Sequence, residues 1–126
     1  MGYQIIWQTP GIIRRFFAHV DSNDLLQAGV ATQGDIRFDD LRYVIDDFLA
    51  VTSISVAASD VDEIAAIDAA ASKINSKIMM AVVAIDPQIV ALANHYATSP
   101  MNVYPTCIFS TRAAAAAWLA LPPTAA

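Results

Sequence analysis

The chain has 126 residues, 56% of them hydrophobic and 15% charged, with seven Lys plus Arg against twelve Asp plus Glu and a formal net charge of −5. That length makes one domain, residues 1–126 with an ordered core over about 3–120, and the acidic balance without a basic run excludes electrostatic binding to nucleic acid or to an anionic membrane. Four glycines and one cysteine leave no phosphate-cradling glycine loop, no disulfide framework and no multi-thiolate metal site.

The first residues, Met1 to Trp7, lack the basic start, long apolar middle and small-residue cleavage site of a secretory signal. The longest apolar runs, 78–85 and 113–123, are shorter than the roughly 18 to 20 residues a helix needs to span a bilayer. Ile6 stands where a myristoylation signal needs Ser or Thr. A cytoplasmic protein without membrane insertion is the expectation.

Residues 3–20 read as a hairpin, with apolar runs at 3–7 and 11–20 and a turn at Thr9-Pro10-Gly11 in which Gly11 tolerates a positive φ. In the second strand Ile12, Arg14, Phe16, Ala18 and Val20 share one face and Ile13, Arg15, Phe17 and His19 the other, which predicts cover on both sides. Asp21-Ser22-Asn23-Asp24 opens a helix carrying Leu25, Leu26 and Val30 and ended by Gly34; 35–41 reads as an irregular connection. Tyr43-Val44-Ile45 starts a third strand ending at Phe48 or Val51, and 51–59 reads as a small-residue, hydroxyl-rich loop. Ser59 to Glu63 starts a second helix, with Asp60 and Glu63 as an imperfect capping box. Val61, Ile64, Ile67, Ala71 and Ile74 form its apolar stripe, and Lys73 and Lys77 sit at its end.

Residues 78–85, apolar without alternation, predict a parallel strand buried on both faces. Asp86-Pro87 caps a third helix whose buried stripe is Ile89, Leu92, Ala93 and Tyr96. Residues 102–109 read as a strand that Pro105 places near an edge. Ser110-Thr111 caps an alanine-rich helix holding Trp118 and Leu119, ended by Pro122-Pro123 with frayed residues beyond. The order β-β-α-β-α-β-α-β-α predicts an α/β fold with a mixed, mostly parallel five-stranded sheet.

Reactive groups do not converge in this pattern. Asp46 and Asp47 sit near a strand's C-terminal end, where open α/β sheets form their crevices, but adjacent strand residues point to opposite faces. One functional aspartate is weighed against a structural role binding turn amides or an arginine, and the structural role is favoured. Arg14 and Arg15 cannot grip one anion for the same reason. His19 and His95 have no ligand spacing, and Cys107 in an apolar strand reads as a buried hydrophobe. Arg37, Asp39, Asp40 and Arg42 around Phe38 form an ion-pair cluster, a recognition surface or, by preference, a solvated loop with Phe38 tucked into the core. No metal or other cofactor is expected. Thr52, Ser53, Ser55 and Ser59, before the second helix, make the candidate binding residues, since a helix N-terminus favours a phosphate-type ligand or a phosphorylated hydroxyl, with ordinary capping as the structural alternative.

The element order, together with Gly11 to Phe16, Asp35 to Phe48, Asp47 to Val56 and Ala115 to Leu119, resembles the STAS-like (SpoIIAA-like) domain of bacterial anti-sigma-factor antagonists, in its largely uncharacterised branch. In that family's pattern, Asp-Leu-Ser-x-Val-x-x-Ile-Asp-Ser, Asp47, Val51 and Ile54 match, Ser55 replaces the second Asp, and Val56 replaces the serine that a partner kinase phosphorylates. The resemblance therefore implies a non-catalytic module that contacts a protein partner through residues 52–64, often as a homodimer, without the standard phospho-switch. The apolar helix at 113–121 with Trp118 adds an expectation of self-association through an exposed apolar face. The alternative from another class is a small binding protein for an apolar or anionic metabolite or lipid, and an enzyme using Asp46 or Asp47 is the third.

Overall fold

A computed structural model describes residues 2–122. The chain forms strands β1 (Tyr3–Gln8) and β2 (Gly11–Asp21), helix α1 (Ser22–Gln33), a 3-10 turn (Ile36–Asp40), β3 (Tyr43–Ser55), α2 (Ala58–Ala71), β4 (Met79–Val83), α3 (Pro87–Ala97), β5 (Thr106–Phe109) and α4 (Arg112–Trp118). The strands lie side by side in sequence order, with β1 antiparallel to β2 and the pairs β2–β3, β3–β4 and β4–β5 parallel. This is the α/β architecture that the pattern of apolar runs predicts, and β5 is the edge strand that Pro105 announces.

Alternation along the strands divides the core into two layers. Ile12, Val44 and Met80 face α2 and α3 in one cluster, Phe16 and Val20 meet Ala28 of α1, and Val82 meets Ile89 of α3. Ile13, Ile45, Ala81 and Val83 face the other way, against Ala115, Trp118 and Leu119 at α4. Three helices thus cover one face and α4 the other. Phe16 and Phe48 stack with centroids 4.6 Å apart, and each fully buried large side chain stabilises the fold by about 1.5–3 kcal/mol.

Several local expectations are corrected. Gly11 does not serve a turn: among the described residues no glycine has a positive φ, the hairpin closes through Thr9-Pro10 with a cis peptide bond, and Gly11 is needed because a Cβ would fall 2.1 Å from the Tyr43 ring. The 35–41 connection holds a short 3-10 turn, capped by Asp35 and burying Phe38. β3 runs to Ser55, so 51–55 is strand rather than loop; its pairing with β2, which continues to Asp21, holds it extended.

Helix α2 starts at Ala58, earlier than expected, because Asp60 reaches back to accept the Ala57 N–H at 2.8 Å. It ends at Ala71, so Lys73, Ile74 and Lys77 lie beyond it, and Ile67 and Ile74 are exposed. Val30 is exposed on α1, and Cys107 on the edge strand is only half-buried. Helix α4 stops at Trp118, whose ring packs against Phe109 at 5.7 Å, so the apolar side of α4 offered for self-association faces the sheet. Residues 123–126, where fraying is expected, lie outside the described residues.

Candidate functional site

β2 and β3 carry Arg14-Arg15 beside Asp46-Asp47, and the parallel register sets Arg14 opposite Asp46 and Arg15 opposite Asp47. Each residue type is thereby paired twice, once on each face of the sheet. Under the three helices, Arg14 Nε and Nη2 donate to the two Asp46 oxygens at 2.6 and 2.8 Å, with both side chains 12% exposed. Burial works against the Arg14 charge, but Asp46's charge and hydrogen bonds outweigh it and hold the guanidinium above its ordinary pKa. On the α4 face, Asp47 is 3% exposed and its Oδ2 lies 2.6 Å from Arg112 Nε and 3.7 Å from Arg15 Nε, with those arginine side chains 45% and 39% exposed. Its Oδ1 accepts the Leu49 N–H at 3.0 Å. Each aspartate is thus held by arginine, and Asp47 also by the Leu49 amide of its own strand.

Between the sheet and α1, α2 and α3 lies a cavity of about 100 Å3. Its walls are apolar, with Phe16, Phe48, Ile54, Ile64, Val82 and Leu92 among them, and its polar end holds Arg14, Asp46, Asp68 and Tyr96. Asp68 accepts the Tyr96 hydroxyl at 2.6 Å and Gln33 Nε2 at 3.0 Å. Burial pushes the Asp68 carboxyl above its ordinary pKa, while the Tyr96 hydrogen bond and the Arg14 charge oppose that. Burial and the neighbouring Asp68 charge push the Tyr96 hydroxyl up as well. These groups are mutually satisfied, so the polar end presents bonded pairs rather than a free charge.

Asp68, Tyr96 and Gly29 were not among the residues marked for chemistry. The signal for Asp68 is periodicity: it follows Ile64 by four residues and Val61 by seven, which places a carboxylate on the buried stripe of α2. Asn75 was missed as well; it is buried and donates to the Phe38 and Leu41 carbonyls at 2.7 and 2.8 Å, tying the 3-10 turn to the chain before β4.

The candidate binding residues occupy one end of the molecule. Thr52, Ser53 and Ser55 are exposed on the last residues of β3, and Ser59 is exposed in the first turn of α2. Ser53 Oγ lies 2.7 Å from His19 Nδ1, which occupies that side of the histidine ring; His95 is paired with Asp62 at 2.7 Å. β3 outruns its neighbour, since its pairing with β4 stops at Asp47 opposite Val83 while its pairing with β2 continues to Ser55. Val56, which directly follows β3, is buried in the core. The charges around Phe38 do not form one cluster: Arg37 pairs with Asp35 at 2.8 Å and lies over the Trp7 ring, while Arg42 donates to the Asp39 and Leu41 carbonyls. Among the described residues no group of three or more His, Cys, Asp or Glu could hold a metal ion, and no helix is long and apolar enough to cross a membrane.

No protein family and no curated protein matches the sequence. Solved structures do match. The anti-sigma factor antagonist SpoIIAA in its unphosphorylated form superposes with a TM-score of 0.62 at 11% identity, over 94% of this chain and 97% of that one. The phosphorylated form of the Bacillus cell fate determinant SpoIIAA gives 0.59 at 10% identity, over 89% and 95%. An uncharacterized protein of Shewanella loihica PV-4 with a SpoIIAA-like fold gives 0.51 at 13% identity, over 93% and 91%. At such identities the likeness is one of fold, and on that ground the chain has the SpoIIAA-like fold.

Proposed function

We propose that the protein is a non-catalytic regulatory module that acts by binding a protein partner through the end of β3 and the start of α2. The observation that carries this reading is the overhang of β3. From Ala50 to Ser55 the strand is paired with β2 alone, with register shifts before Ala50 and at Thr52, so its other edge, which has no strand partner beyond Asp47, can take an added strand beside the exposed Thr52, Ser53 and Ser55. The fold adds support, since SpoIIAA is an anti-sigma factor antagonist. The consumption of Arg14, Asp46 and Asp47 in internal pairs argues against acid–base chemistry at the strand ends. Val56, buried in the core, cannot accept a phosphate, so regulation here runs through contact rather than through that position.

The test is quantitative affinity capture from the native cell with the intact chain and with the Thr52→Lys/Ser55→Lys double variant, followed by titration of the purified partner. A partner that binds the intact chain and binds the folded variant about tenfold more weakly or worse is the expected result. A partner indifferent to these substitutions overturns the reading.

A further inference from the structure

We propose that the cavity between the sheet and helices α1, α2 and α3 is a binding site for a small neutral amphiphile: a short aliphatic chain with an uncharged hydroxyl or carbonyl head placed at Arg14, Asp68 and Tyr96. This goes beyond the partner-binding reading and does not depend on it.

Three observations converge. The walls are apolar and the space is about 100 Å3, whereas an apolar cavity of about 150 Å3 holds a six-carbon ring; the space here suits roughly four to six carbon atoms, free or as the end of a longer chain. Gly29 then lacks any other explanation. It stands in the interior of α1, where glycine costs roughly 0.5–1 kcal/mol relative to alanine. Its conformation is helical, and a Cβ there would meet nothing within 4 Å, whereas Cβ atoms at Gly2, Gly11 and Gly34 would meet neighbours at 2.7, 2.1 and 3.0 Å. Gly29 lines the cavity, so the missing side chain leaves room there that no protein atom uses.

The polar end selects the head group. Arg14 is engaged bidentately by Asp46, and Asp68 already accepts two hydrogen bonds. One guanidinium faces two carboxylates, so there is no surplus positive charge to repay the desolvation of an anionic ligand. Of the five N–H groups of Arg14 two go to Asp46 and one of those on Nη1 to Thr32 Oγ1 at 3.4 Å, so two remain from which a neutral oxygen can accept without disturbing these bonds. The cavity wall is also the inner side of the proposed contact segment, since Ile54, Val56, Val61 and Ile64 all line it.

The experiment is a titration of the full chain with hexan-1-ol, hexanoate and hexylammonium, followed by amide chemical shifts and thermal denaturation. Hexan-1-ol is expected to produce saturable shifts centred on Gly29, Ile54, Ile64 and Leu92 and to raise the Tm, with hexanoate and hexylammonium weaker by about tenfold or more. Gly29→Leu fills the open space and should abolish these shifts while the protein stays folded; Ala31→Leu, on the exposed side of α1, controls for the better helix former and should leave them intact. Ile64→Ala enlarges the site and should raise the preference for octan-1-ol over hexan-1-ol by roughly fourfold or more. No saturable shift with any of the three probes overturns the proposal. So does unaltered binding in Gly29→Leu, an unchanged chain-length preference in Ile64→Ala, or tighter binding of either charged probe.

Discussion

The two faces of the sheet carry the same pair of residue types at adjacent positions, and they use them differently. Arg14–Asp46 is enclosed beneath three helices and borders a cavity, with both partners 12% exposed. Arg15–Asp47 lies beside α4, where the aspartate is buried but its two arginines, Arg15 and Arg112, reach solvent. The lesson is that an ion pair's energetic weight follows from what happens to the survivor when one partner is lost. A stranded charge under the helices has little access to water, while a stranded guanidinium beside α4 is readily hydrated.

Substitutions rank accordingly. Asp46→Ala takes from Arg14 its only hydrogen-bonded carboxylate, leaving Asp68 as a nearby charge that makes no ion pair with it, and should cost about 3–5 kcal/mol in urea denaturation, whereas the double replacement Arg14→Met/Asp46→Leu should recover most of that loss. If the single variant costs under about 1 kcal/mol, the contrast between the faces is wrong. Asp47→Ala should cost less, about 1–3 kcal/mol, from the unpaired Leu49 N–H and the emptied site between Arg15 and Arg112.

Asp68→Asn sharpens the comparison through pH. Burial holds the Asp68 carboxyl above its ordinary value, so the folded chain binds that proton more tightly than the unfolded chain does. Its contribution is therefore most favourable below the ordinary carboxylate pKa of about 4 and declines as pH rises through the folded value. Asp68→Asn removes that decline. Its stability relative to the parent should rise with pH and end neutral to mildly stabilising at pH 7, by about 1 kcal/mol or less, as read from denaturation midpoints across the range.

The smallest effect belongs to the exposed Asp35–Arg37 pair. Hydrogen bonds from Arg37 hold the Asp35 carboxyl down at about 2, so its contribution is present above the ordinary carboxylate range and is lost as pH falls toward that value. Asp35→Ala should change the denaturation midpoint little at pH 7 and less still in acid, and a large loss at neutral pH would mean that the turn before β3 depends on this pair.

The fold was legible because its signals are local and repeated. Asp86-Pro87 caps α3, the uninterrupted apolar run makes β4 buried on both faces, and the opposed sides of Arg14/Arg15 and Asp46/Asp47 follow from the pleat. The ends of elements were less legible. β3 continues through Thr52, Ser53 and Ser55 because β2 pairs with it there, and strand pairing across the sheet outweighs the loop-like run of small and hydroxyl residues. The helix at 113–121 with Trp118 reads in sequence as an exposed apolar face for self-association, yet Trp118 packs on Phe109, since which side of a short helix meets the sheet depends on where the sheet lies.

The residues alone determined the order of strands and helices and the two-faced character of β2 and β3. Periodicity, capping and residue type all act over a few neighbours and can be read along a line. Only the tertiary structure decided that Arg14, Asp46, Asp68 and Tyr96 meet at one end of a cavity, that Gly29 opens toward it, and that β3 outruns β4. Those features depend on how far apart α1, α2 and α3 stand above the sheet and on the register between strands distant in sequence. Packing fixes both distances through contacts among many residues at once, and no single stretch of chain encodes them.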